Sequence, residues 1–188
     1  MLLYLALIHY PVVNRRGEII ASAITNLDLH DMARSACTFN VAACYVVTPL
    51  RDQGELAGDL IRHWCEGEGF RLHPERGSAL RHLRVVESLD AAREDIRRES
   101  GMLPVMWATS ARETTGGLAH SLARRALRAA EGPCLVLFGT AWGLAESVLN
   151  EADAILEPIR GVDGYNHLSV RCAAAIILDR LLGEDRTE

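Results

Sequence analysis

Two groups of residues carry side chains at spacings that could do chemistry. The first is the run "TNLDLHDMAR" at 25–34, where Asp31 and Arg34 stand one turn apart on a predicted helix opened by polar residues. A guanidinium there offers a planar fork matched to phosphate or hydroxyl oxygens, and a carboxylate offers a proton acceptor. Structural roles fit the same residues. Asp28 and Asp31 have the spacing of a capping box, and Arg34 could pair with Asp31 on a solvated face. The second group is a trio of loops, "TSAR" (109–112), "FGTAWGL" (138–144) and "EPIRGVDGYNHLS" (157–169), where Gly, Pro, Trp, Asn and His crowd beside apolar runs. Gly139 and Gly143 bracket a tight turn in which the backbone can meet a ligand closely or take positive φ. A plain strand-to-helix turn asks for the same glycines.

Several chemistries lack their signatures. The chain has no GxGxxG after its first strand, no GxxxxGK[ST] and no GxSxG, so dinucleotide, P-loop and serine-elbow readings have no motif to stand on. The seven histidines form no HExxH, and the five cysteines form no CxxC pair, so no metal site is expected. The thiols read as buried and free, in a reducing cytoplasm. Net charge is −5, which argues against unspecific coating of nucleic acid. All 20 basic residues are nevertheless arginine, through phosphate chemistry or through the base composition of the source genome.

The elements that must position these groups alternate from end to end. Apolar runs at 2–8, 43–47, 83–87, 102–109, 134–138 and 154–158 predict strands, several without the alternation of a one-sided sheet. Helices are predicted at 28–39, 53–66, 89–99, 117–130, 143–150 and 166–182, the last apolar on nearly all sides and opened by Asn166 as cap. The pattern describes one α/β domain with a mainly parallel sheet flanked by helices, over residues 1–183, with 184–188 as a frayed tail. The opening "MLLYLALIHYPVV" reads as a buried strand, with no signal peptide or membrane span. In such sheets ligands sit at the carboxyl ends of strands, and all three loops leave strands there.

"LVLFGTAWGL", "ILEPIRG" and "YNHLSVRCAAAIILDRL" resemble the successive C-terminal motifs of the SPOUT RNA methyltransferases. "TNLDLHDMARSACTFNVAACYVVTP" is similar to the first motif of that superfamily, in which a polar loop opens an arginine-bearing helix. The nearest resemblance is to a small bacterial subgroup distantly similar to the tRNA guanine-N1 methyltransferase. It implies a deep C-terminal trefoil knot, an exception to unknotted topology, a cytoplasmic homodimer, and S-adenosylmethionine (SAM) bound in a bent form. It implies Thr109 and Ser110 in the first cofactor loop, and Gly139, Thr140, Gly143 and Leu144 in the second. The third takes Leu156, Ile159 and Gly161, followed by His167, Leu168 and Ser169 at the helix start.

Two positions depart from the family pattern: His167 stands where ribose-methylating relatives carry asparagine, and Ala141 where glycine is expected. The first speaks against the ribose 2′-hydroxyl as acceptor, and the second substitutes the next smallest side chain. The resemblance implies methyl transfer to tRNA or rRNA, with Arg34 activating a hydroxyl and holding phosphate, or Asp31 taking the proton in a base-methylating enzyme. A knotted protein that binds SAM or RNA without methylating is the alternative. His9 reads as a core histidine, and Trp107 and Trp142 as packing residues rather than stacking platforms.

Overall fold

The computed structural model describes residues 2–113 and 116–184. Six parallel strands form the main sheet: β1 (Leu2–Ile8), β4 (Ala43–Val47), β5 (Leu83–Val86), β6 (Val105–Ala108), β7 (Pro133–Gly139) and β8 (Ala154–Ile155). A two-stranded antiparallel hairpin, β2 (Val12–Val13) with β3 (Ile19–Ile20), follows β1. The helices are α1 (Asn26–Thr38), α2 (Arg51–Cys65), α3 (Glu68–Leu72), α4 (Pro74–Leu80), α5 (Leu89–Ser100), α6 (His120–Ala129), α7 (Glu146–Glu151) and α8 (Val170–Leu182).

The sheet order is β5-β4-β1-β7-β6-β8. From β1 the chain winds outward through β4 and β5, then crosses to build β6, β7 and β8 on the other side. The direction of winding therefore reverses between β1 and β7, which is where an open α/β sheet leaves a crevice at its carboxyl edge. Ile8 and Gly139 are register partners at that point.

β1 is buried at six of its seven positions because both faces are covered. Leu3, Leu5 and Leu7 pack with Val46, Val136 and Phe138 against the apolar stripes of α1 and α8. Tyr4, Ala6 and Ile8 pack on the opposite face with Tyr45, Leu135, Leu137 and Ile96 of α5. The molecule is three layers about one sheet, as the unalternating runs require. Cys44, Cys65 and Cys134 are buried free thiols, whereas Cys37 and Cys172 are exposed. Burial pushes the Cys44 and Cys134 thiols up to about 12.

Three helices begin later than their sequence pattern implies, and they are the three that follow the loops. α6, α7 and α8 start at 120, 146 and 170, not at 117, 143 and 166. Their cap residues Ala119, Ala145 and Ser169 are extended, with ψ of 139°, 153° and 151°. The stretches ahead of α6 and α7 stay extended because neighbouring strands and loops satisfy their backbone. Leu118 N–H donates to Ile155 O at 2.7 Å, and Ala145 N–H donates to Pro11 O at 3.2 Å.

α8 also corrects the expected cap. Its cap is Ser169, whose hydroxyl accepts from Cys172 N–H; Asn166 lies outside the helix and donates through Nδ2 to Ala111 O at 2.7 Å. Only one stripe of α8 is fully buried (Ala174, Ile177, Leu178 and Leu181), while Ala173, Ala175 and Ile176 stay half-buried. The sheet covers one side of the helix and no more. Of the expected tail, residues 185–188 lie outside the described residues.

Candidate functional site

The sheet brings the three loops together at its carboxyl edge. Thr109, just beyond β6, donates its N–H and its hydroxyl to Leu137 O, at 3.0 and 2.9 Å. Ser110 accepts from Arg112 N–H at 3.0 Å and so shapes the first loop. Beyond β7, Thr140 is buried, and its hydroxyl donates to Ile8 O at 3.0 Å and meets Ser22 Oγ at 2.6 Å. Gly143 has φ of +109°, a conformation in which glycine is unstrained, and its N–H closes the turn on Thr140 O. Leu144 is buried and bridges to Val12 of the hairpin.

Beyond β8, Leu156 is buried and donates its N–H to Ala108 O at 2.9 Å. Ile159 packs half-buried against the core on the α8 side. Gly161 lies where a Cβ would stand 2.8 Å from Tyr165 O, so the return of this loop needs the missing side chain. His167 and Leu168 are exposed, and Ser169 caps α8. Loops one and three are tied by Asn166 to Ala111 and by the Arg160–Glu113 ion pair at 3.0 Å. Loops two and three meet where the Trp142 and His167 rings stand 6.4 Å apart.

Gly139 has a different reason from the one its sequence suggests. A Cβ there would lie 2.6 Å from Leu144 N and 2.9 Å from Gly143 C, so the close approach is by the loop's own returning backbone. Ala141 also departs from expectation. Its φ is +51°, so alanine in place of glycine carries a conformational cost, of about 1 kcal/mol, rather than one of size.

On α1, Thr25 is the cap. Its hydroxyl accepts from Asp28 N–H at 3.1 Å and donates to Asp28 Oδ2 at 2.6 Å. Asp28 is therefore the partner of the cap, while Asp31 takes no part in it. Neither aspartate pairs with Arg34. Arg171, in the first turn of α8, donates to Asp28 Oδ1 at 3.0 Å and lies 3.3 Å from Asp31 Oδ2. Arg34 is exposed and makes no ion pair among the described residues. It lines a groove of about 380 Å³ between α1 and α8, together with Asp31, Arg171 and Cys172.

Arg171 is the residue that sequence reasoning missed. It joins the arginine-bearing helix to the helix that follows the third loop. The only signal for it was its place two residues after Ser169, which does not reveal a partner 143 positions earlier in the chain.

Beneath the loops, His9 is fully buried, with Nδ1 2.9 Å from Ser22 Oγ and Nε2 lacking a hydrogen-bond partner. Burial lowers its pKa, and Asp28 opposes that shift. Trp107 is buried, as a packing residue should be, but Trp142 is 51% exposed. The hydroxyls of Thr109, Thr140 and Ser169 are thus engaged within the fold. Besides exposed polar side chains such as His167, the loops offer a ligand backbone groups and apolar or aromatic surface. No cluster of His, Cys, Asp or Glu among the described residues is arranged to hold a metal. None of the described helices is long and apolar enough to cross a membrane.

The model of a family described as SAM-dependent RNA methyltransferase matches residues 2–183. Two curated relatives, each a tRNA (guanine-N(1)-)-methyltransferase, come from Oleidesulfovibrio alaskensis and Nitratidesulfovibrio vulgaris. They are 51% and 50% identical over 182 residues, which is 97% of this chain but 42% of each relative. The chain thus spans less than half the length of these relatives. An uncharacterized protein of Aquifex aeolicus is 37% identical over 98% of this chain and 90% of its own length. Among solved structures, TrmJ from Z. mobilis aligns over 100% of this chain and 71% of its own, with a TM-score of 0.57 at 17% identity. The A. aeolicus TrmH/SpoU tRNA modifying enzyme aligns over 96% of this chain and 73% of its own, with a TM-score of 0.55 at 11% identity. At those identities the likeness shows the fold.

Proposed function

The chain belongs to the SAM-dependent RNA methyltransferase family, and from that premise we propose that it transfers a methyl group from SAM to a nucleotide of RNA. tRNA is the class its curated relatives name, and rRNA is the other candidate. The observation that carries the reading is the convergence of the three loops at the β1/β7 reversal, with the α1 arginine in a groove that runs to α8. In this reading the loop residues that the resemblance implies, from Thr109 to Ser169 and without Trp142, hold the cofactor, largely through main-chain groups. The last segment threads the preceding loops as a trefoil knot, and the half-buried face of α8 meets a second copy in a cytoplasmic homodimer. One domain spans 1–183.

SAM supplies an electrophilic methyl carbon on a sulfonium. The chain's own task is to place an acceptor oxygen or nitrogen in line with that carbon, roughly 3 Å away, and to take one proton. Arg34 pairs with no carboxylate among the described residues, so its fork is available for an RNA phosphate or the acceptor hydroxyl. Asp31 carries the proton-acceptor role if the acceptor is a base. Its contact with Arg171 holds it beside the groove.

Calorimetry with SAM, followed by transfer of labelled methyl to RNA from cells lacking the protein, tests the reading. We expect binding together with saturable incorporation into tRNA or rRNA. Binding without incorporation into any RNA would favour a binding protein, and no binding would remove the cofactor assignment.

A further inference from the structure

The aromatic row at the mouth of the loops is not explained by packing. Trp142 is 51% exposed and Tyr165 is 73% exposed, and the His167 ring stands between them, 6.4 Å from the first and 5.3 Å from the second. Exposing an indole to water forgoes the burial that Trp107 achieves in the same fold. The backbone imposes that exposure. Trp142 N–H donates to Val13 O at 3.0 Å, and Gly143 O accepts from Val13 N–H at 2.9 Å, so the hairpin grips the loop on both sides of the ring. The preceding residue, Ala141, is in the left-handed region at φ +51°. Local strain that holds a large apolar side chain in solvent is the economy of a ligand clamp rather than of a core.

The hairpin adds charge to the row. Arg15 Cζ lies 5.9 Å from the Trp142 ring centroid, and Arg16 is exposed beside it. The turn that carries both is fixed by Asn14, which accepts from Arg16 N–H at 2.8 Å and Glu18 N–H at 3.1 Å. Acidic groups are present but engaged or peripheral. Glu18 accepts from Asn14 Nδ2, Glu113 pairs with Arg160, and Asp163 is exposed in the third loop. Aromatic faces alternating with guanidinium groups match the chemistry of unpaired nucleotides, whose bases stack while their phosphates meet arginine.

We propose that Arg15, Trp142, Tyr165 and His167 form a stacking platform for an unpaired nucleotide of the RNA substrate; this rests on the methyl-transfer reading above. The platform sits at the rim of the loops assigned to the cofactor, so an RNA strand held there is delivered to them.

The test uses the full chain and a fluorescein-labelled single-stranded 12-nucleotide RNA of mixed sequence. Trp142→Ala should weaken binding of that RNA by about tenfold or more, the usual consequence of removing one stacking partner. Trp142→Phe should restore most of the affinity, and SAM affinity by calorimetry should stay within about twofold in both. Arg15→Ala should weaken RNA binding less and reduce its salt dependence. Unchanged RNA affinity in Trp142→Ala, with the parent binding SAM and methylating RNA, overturns the platform alone. Loss of SAM binding in that variant assigns the row to the cofactor, and conversion of a dimer to a monomer assigns it to a subunit interface; either overturns the proposal. A parent chain that binds neither ligand overturns the methyl-transfer reading with it.

Discussion

Thr140 and Arg34, both in the proposed site, use their polar atoms in opposite ways. Thr140 is 9% exposed, and its hydroxyl is committed to Ile8 O and to Ser22. Arg34 is exposed, with no ion pair among the described residues. The same division runs through each region. Thr109, Ser110 and Asn166 bond to backbone, whereas the α1 groove keeps a charged side chain in solvent. In the proposed reading the loops serve as shaped backbone, and the helix serves through its side chains. Substitutions that displace the loop backbone should therefore damage stability and cofactor binding together, whereas substitutions on α1 should separate activity from both.

The largest effect is expected at Gly139. Gly139→Val places a branched side chain onto Leu144 N and Gly143 C, so the loop must open. We expect a loss of about 3 kcal/mol, seen as a fall of roughly 10 °C in thermal unfolding, together with loss of SAM binding in calorimetry. A variant that keeps its stability while losing binding would mean that the glycine faces the ligand rather than its own loop. Next in size is Arg171→Leu. Asp28, with its side chain 11% exposed, would lose its cation, at a cost of about 2 kcal/mol in denaturant unfolding. Arg171 joins the two regions, so this variant should also weaken transfer. Unchanged stability there would make the link dispensable.

A smaller effect is expected from pH. Burial lowers the pKa of His9 below its ordinary 6.5, so at mildly acid pH the unfolded chain binds more protons than the folded one. This contribution is complete above pH 6.5 and is lost as the pH falls toward the depressed folded value. His30 and His120 are shifted in the same direction, again mainly by burial. Stability should decline below pH 6.5, and His9→Gln should make the decline shallower. An unchanged slope would indicate that the buried ring keeps its ordinary proton affinity.

The strands were legible because β1, β4 and β7 are buried on both faces, so their apolar runs needed no companion to be recognised. α3 and α4 were not, since "GEGFRLHPERGSAL" is rich in glycine and their helices are short. At Gly77, a Cβ would collide with the Trp64 carbonyl, so the composition that hides the helix is what lets it pack. The loop glycines and Pro158 marked where the candidate site lies, while its internal bonding depends on partners far away in the chain. Thr140 with Ile8 and Arg171 with Asp28 are pairs that no local pattern contains. The exposure of Trp142 was hidden for the same reason, because the hairpin that holds it out begins about 130 residues earlier.

The division between shaped backbone and acting side chain is tested most directly by Arg34→Ala, measured for methyl transfer to a responsive RNA and for SAM affinity on the same preparation. Arg34 is exposed and outside all three loops, so we expect transfer to fall by at least about a hundredfold while the SAM dissociation constant moves less than about twofold. Arg34→Lys should recover little, because an ammonium does not reproduce the planar fork. Transfer at the parent rate in Arg34→Ala, with Asp31→Asn inactive, would contradict the arginine's role and move the chemistry to the carboxylate; parent-like transfer in both would leave α1 a structural helix.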